Sequence, residues 1–200
     1  MNINAKKVML FVGITFGLTL IFHILIPFSK NPKGFLGLAM IIPLLSVVVV
    51  QKMIYKKKVI PILGFSIGQM RWYLLAIIIP IALSFNINWT IEQFILMMIV
   101  GLTISTLSAL LEEVAWRGFL RKEFNGIDKI KIYFLTALIW SIWHIPVAVL
   151  YKYTDDIFLN TMLYCGQLFL LSFIISWLRD ASKSIIPAGL FHGMLNVFYF

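Results

Sequence analysis

Thr106-Leu107-Ser108-Ala109-Leu110-Leu111-Glu112-Glu113-Val114-Ala115-Trp116-Arg117-Gly118-Phe119-Leu120 sets two adjacent carboxylates inside an otherwise apolar run covering residues 94–122. The run exceeds the roughly 20 residues that a helix needs to span hydrocarbon. An ionisable group in such surroundings is costly unless it is paired, hydrated or used, so carboxylates within a membrane segment mark a functional site. Whether this is a membrane segment depends on the rest of the chain.

Of the 200 residues, 61% are hydrophobic and 12% charged, and the mean hydropathy is +0.96. Soluble domains are about 45–50% apolar and about 25% charged. Apolar runs cover residues 8–27, 35–51, 71–85, 94–122, 132–150, 157–178 and 184–200. The fold expected is all-α: a polytopic integral membrane protein of about seven transmembrane helices, six to eight being compatible with the short third and seventh runs. Lys6 and Lys7 precede the first run as they would in a signal peptide, but the run is long, ends at Pro27 and lacks a small-x-small cleavage site. It is read as a retained helix. The lone Cys165 excludes an intrachain disulfide and is expected to pack. With no repeat, low-complexity tract or soluble module visible, residues 1–200 form a single membrane domain.

A net charge of +9 would suggest nucleic acid in a soluble protein, but its distribution here gives a different answer. With seven helices and a cytosolic N-terminus, Lys6, Lys7, Lys52, Lys56, Lys57, Lys58, Arg71, Arg117, Arg121, Lys122, Lys129, Lys131, Arg179 and Lys183 fall on the cytosolic side, against Lys30, Lys33 and Lys152 opposite. Fourteen against three is a strong positive-inside bias. The cell membrane is the expected location, with lipid as a partner, the basic loop 52–71 on anionic lipid, and no nucleic acid.

The polar residues within the runs fall at helical spacing. Glu113 and Arg117 are i,i+4 and can pair, whereas Glu112 is rotated by about 100° and is left without a local counter-ion. Trp140 lies one turn before His144, and His192 one turn before Asn196. Counting at about 1.5 Å per residue from the flanking basic residues puts Glu112 about 15 Å deep, His144 about 20 Å, His192 about 14 Å and Asn196 about 20 Å. The four share one layer in the cytosolic half of the membrane. His23 has no such pattern around it and is expected to hydrogen-bond a neighbouring helix.

Glu112-Glu113-Val114-Ala115-Trp116-Arg117, Trp140 to His144 and His192 to Asn196, in that order, resemble the three motifs of the CPBP group of intramembrane proteases, the type II CAAX prenyl endopeptidases together with the bacterial Abi, or bacteriocin-immunity, proteins. The resemblance covers residues 99–200, departs from the pattern in having Trp140 where Phe is usual, and ends four residues after Asn196, where a shortened last helix is expected. It divides the chain into N-terminal helices, 1–92, and a catalytic core, 93–200. It implies an intramembrane endopeptidase in which Glu112 and His144 activate water, His192 and Asn196 stabilise the oxyanion, and Glu113, Arg117 and Trp140 support them. Arg117 would sit at the cytosolic mouth, within reach of a substrate carboxylate. The implied substrate is a peptide or protein, lipidated or membrane-inserted.

Other readings use the same residues. Two histidines and a carboxylate can ligate a divalent metal such as zinc, which makes Glu112, His144 and His192 the alternative ligand set, although no His-Glu-x-x-His stretch exists. A non-catalytic membrane partner or bacteriocin-immunity protein of the same fold would keep the helices without the chemistry. A proton-coupled carrier would use the carboxylate and histidines as a relay. Gly64-Phe65-Ser66-Ile67-Gly68 matches a nucleophile elbow, but that motif works only on a strand-to-helix turn. Asp155 and Asp156 read as solvated loop charges.

Overall fold

The computed structural model describes residues 4–84 and 89–199. Among the described residues seven helices follow the apolar runs: α1 (Ala5–Phe28), α2 (Pro32–Ile54), α3 (Arg71–Leu83), α4 (Ile91–Glu123), α5 (Lys129–Lys152), α6 (Ile157–Ser182) and α7 (Ile185–Phe198). No β-sheet forms among the described residues. Phe85 and Phe200, the last residues of two expected runs, lie outside the described residues. Polar residues cap several of the helix starts. Asn4, Thr90, Asp128 and Ser184 each accept a hydrogen bond from a backbone N–H in the first turn, and Thr90 and Gln93 form a reciprocal capping box.

Five helices are long and apolar enough to cross a membrane. The exceptions are α3, with 13 residues, and α7, with 14, or about 20 Å against a hydrocarbon core of about 30 Å. Helix α7 is short because it is an interior helix: Ile185, Ala188, Phe191, His192, Met194, Leu195 and Phe198 are all buried. It packs on α3, α4 and α6, so its ends meet protein and need not match the bilayer. Outer faces elsewhere remain apolar, with Leu20, Ile24, Ile78, Ile95, Leu163 and Leu170 exposed. Helices that are apolar on both faces belong in lipid.

Polar contacts order the helix ends. Lys7 Nζ lies 2.6 Å from Glu123 Oε1 and over the rings of Tyr55 and Phe119, which joins the start of α1 to the ends of α2 and α4. Asp180, late in α6, accepts from Arg121 and from Tyr133, early in α5. Gly64 O accepts from Ile185 N, and Ser66 Oγ donates to Lys183 O, so the loop before α3 rests on the α6–α7 turn. One face therefore gathers the starts of α1, α5 and α7 with the ends of α2, α4 and α6, which is the alternation the charge count requires. Ser66 is exposed on this loop rather than raised on a strand-to-helix turn.

His23 departs from expectation. It is buried beside the ring of Tyr151, and neither ring nitrogen nor the Tyr151 hydroxyl has a hydrogen-bond partner among the described residues.

Candidate active site

Two adjacent glutamates on a helix point in different directions, and here they find different partners. Glu113 Oε1 accepts from Arg117 Nη1 at 3.0 Å and from His192 Nδ1 at 2.9 Å. Arg117 Nη2 also donates to Ser172 Oγ of α6 at 2.7 Å. The arginine pairing follows from i,i+4 spacing; the imidazole comes from α7. The expected place of Arg117 at the cytosolic mouth is not what the structure has. Arg117 is 1% exposed, because its guanidinium turns inward to Glu113 and Ser172.

Glu112 is equally buried, at 1% exposure, and takes no cation. Its Oε2 accepts from two indoles: Trp140 Nε1 at 2.9 Å and Trp116 Nε1 at 3.3 Å. Directly after Glu113 the helix widens into a π-type turn over Val114–Leu120, a feature frequent at functional sites.

Trp140 is the hub of the cluster. Its ring meets that of His144 edge-to-face with centroids 4.7 Å apart, and that of His192 at 5.3 Å. The Arg117 guanidinium carbon lies 5.0 Å from its centre. Trp140, where the resemblance leads one to expect Phe, is therefore more than a change of ring size, since the indole brings an N–H to Glu112.

His144 owes its orientation to a break in α5. Pro146 has no N–H to give and crowds the carbonyl four residues before it, and the turn ahead of it tightens so that His144 N bonds Ser141 O. The Trp140 carbonyl, which a regular helix would pair with that N–H, instead accepts from His144 Nδ1 at 2.8 Å. A carbonyl can only accept, so Nδ1 carries the proton and Nε2 is left as the second nitrogen of the ring. His144 is half-buried.

His192 is held by close helix contact. A Cβ on Gly193 would lie 2.5 Å from Thr106 Cα, and one on Gly189 would lie 2.4 Å from Leu110 Cδ2. The pair forms a Gly-x-x-x-Gly stripe that lets α7 lie directly on α4, and Ser105 Oγ adds a 2.8 Å bond to Gly193 O. One turn beyond His192, Asn196 is half-buried. Among the described residues no hydrogen bond ties its carboxamide to the cluster.

Among the described residues no three His, Cys, Asp or Glu side chains are grouped so as to hold a metal ion. Glu112 Oε2 is engaged by indole N–H groups and His192 Nδ1 by Glu113, which leaves Glu112 Oε1 and the Nε2 atoms of His144 and His192 as the remaining donor atoms of the alternative ligand set.

Three residues of the cluster escape the motif reading. Trp116 is i,i+4 from Glu112, so the spacing argument that pairs Glu113 with Arg117 would also have found it. Ser172 and Tyr164, the latter with its ring 6.4 Å from His144, come from α6, which carries no motif. Only the tertiary structure brings them in.

Compared with known protein families, residues 92–198 match the type II CAAX prenyl endopeptidase Rce1-like family. The chain belongs to this family. Over 102 residues it is also 34% identical to CAAX prenyl protease 2 of Methanococcus maripaludis, a match that covers 46% of this chain and 36% of that protein. The matched span of that relative is thus about a third of its length. The part of this Rce1-like chain that matches the family runs from α4 through α7 and contains the whole cluster around Trp140. Family and apolar helices together fit an integral membrane protein.

Proposed function

We propose that this Rce1-like chain is an intramembrane endopeptidase whose catalytic core is residues 93–200, with Glu112 as general base. In this reading Glu112 and His144 hold a water molecule, and Glu112 takes one of its protons. The resulting hydroxide attacks the scissile carbonyl, and the oxyanion receives hydrogen bonds from His192 and the Asn196 carboxamide. Glu112 then passes the proton to the nitrogen as the C–N bond breaks. With Nδ1 committed to Glu113, the nitrogen that His192 turns to the oxyanion is Nε2. Glu113, Arg117 and Trp140 position these groups without touching the substrate.

The observation that supports this most is the Trp140 indole, which binds the Glu112 carboxylate while its ring makes T-shaped contacts with the imidazoles of His144 and His192. A general base needs its partner groups fixed within hydrogen-bond reach of one reacting water. The substrate class we propose is a membrane-anchored peptide or protein; the name of the Methanococcus maripaludis relative says of that protein that it is a CAAX prenyl protease. The orientation we propose puts the N-terminus and the basic face in the cytosol.

The test is Glu112→Gln in proteoliposomes with a fluorogenic prenylated peptide. The amide keeps an oxygen for the two indoles, so the protein should insert and melt normally while cleavage falls by about 10²-fold or more. Full cleavage by this variant would remove Glu112 from the chemistry. A cellular phenotype that survives both Glu112→Gln and His192→Ala would instead favour a non-enzymatic partner.

A further inference from the structure

On the face where α4 and α6 end, the structure holds a polar cavity of about 240 Å³ whose lining does not include the residues of the Trp140 cluster. Its walls include Arg121 and Lys122 near the end of α4, Asn125 just beyond it, Arg179 of α6, and Pro61, Ile62 and Gly64 of the loop before α3. Arg121 lies nine residues beyond Glu112 along α4, and Glu112, Trp140, His144 and His192 are not among the residues that line the cavity.

Its charge is unbalanced. Asp180 takes bidentate bonds from Arg121 and a third bond from Arg179, so one carboxylate serves two guanidinium groups. Tyr133 adds a neutral donor to the same carboxylate. The other nearby acid, Glu123, is committed to Lys7. Lys122 is exposed at the rim and adds a further positive charge, and the Asn125 amide is a neutral donor beside it. Arg179 is fixed in place: its Nε donates to Arg117 O at 3.1 Å, and its Nη2 lies against Gly64, whose positive φ of 73° bends the loop around it. Two net positive charges and several N–H donors thus line a concave site at the helix ends.

We propose that this cavity binds a phosphate group, supplied by the headgroup of an anionic lipid. Basic pockets between membrane helices on the cytosolic side are suited to anionic headgroups, guanidinium groups match phosphate geometry, and the apolar Pro61 and Ile62 beside the cations suit a ligand that continues into acyl chains. The site is independent of the proposed peptidase reaction.

The experiment uses the full chain in zwitterionic detergent, with short-chain phosphatidylglycerol, phosphatidylcholine of the same chain length, and inorganic phosphate at matched ionic strength. Binding is read by native mass spectrometry and by thermal shift. Phosphatidylglycerol should bind and raise Tm while phosphatidylcholine does not, and Lys122→Gln with Asn125→Ala should weaken the binding about fivefold, the worth of one interfacial cation. Both positions are exposed, so the variant should fold. If inorganic phosphate alone gives the same shift, the phosphate site stands and its ligand is soluble. If phosphatidylglycerol and phosphatidylcholine behave alike, the proposal fails. It also fails if Lys57→Gln with Lys58→Gln weakens binding as much as the cavity variant, because the attraction would then belong to the basic surface and not to the cavity.

Discussion

The Trp140 indole nitrogen lies 2.9 Å from Glu112 Oε2, and the same ring packs edge-on against both His144 and His192. One side chain from α5 thus fixes a carboxylate on α4 and an imidazole on α7 as well as one on its own helix. Phe in its place would keep an aromatic ring there, smaller than the indole, and lose the N–H. On the proposed mechanism Trp140→Phe should lower kcat by about 10–100-fold, because a hydrogen bond to a charged group contributes about 1.5–3 kcal/mol. KM should change little, since Trp140 does not meet the substrate. Steady-state cleavage of the fluorogenic peptide measures both, and an unchanged kcat would leave the indole N–H with no part in positioning Glu112.

Glu113 should behave differently from its neighbour. Its carboxylate is the buried counter-ion of Arg117 and the acceptor for His192, with side chains at most 2% exposed. Glu113→Ala strands a buried guanidinium, and breaking such a pair from one side costs about 3–5 kcal/mol. The expected outcome is a clear fall in Tm, or loss of folded protein, where Glu112→Gln melts like the parent. Similar melting of the two variants would contradict the assignment of structural work to Glu113 and chemical work to Glu112.

Chelation separates the two proposed chemistries. Because Glu112, His144 and His192 do not form a metal-holding group, cleavage should persist after treatment with EDTA and 1,10-phenanthroline. Activity lost on chelation and restored by added zinc would require the cluster to rearrange around a metal.

How much of this could be read from the chain depends on which interactions are local. The helix positions follow the apolar runs closely: residues 71–85 became Arg71–Leu83, and residues 94–122 became Ile91–Glu123. The Glu113–Arg117 pair follows from a single turn of helix. What the spacing could not supply is the partner across helices. Glu113 also receives His192, Arg117 turns inward to Ser172, and the change from Phe to Trp at 140 acquires its meaning only when Glu112 is found at the indole N–H. Local periodicity states which face a residue occupies; it does not state which helix lies opposite. The inward turn of Arg117 reflects this limit, since counting from the basic flank gives depth along the axis but not direction around it.

The glycines of α7 give a last prediction that depends on this packing alone. A methyl group on Gly193 would meet backbone atoms of α4, Thr106 Cα at 2.5 Å and Thr106 N at 2.6 Å, which cannot move without displacing the helix. On Gly189 it would meet Leu110 Cδ2 at 2.4 Å and Cγ at 2.7 Å, the outer part of a half-buried side chain that can adopt another rotamer. Gly193→Ala should therefore force α7 away from α4, at an overpacking cost of about 1–3 kcal/mol. It should also draw His192 away from Glu113 one residue along. Gly189→Ala should cost less, because Leu110 absorbs the added volume and α7 keeps its place. Tm in detergent and cleavage in proteoliposomes should fall for Gly193→Ala well before they fall for Gly189→Ala. The reverse order would mean that the α4–α7 contact is not what holds His192 against Glu113.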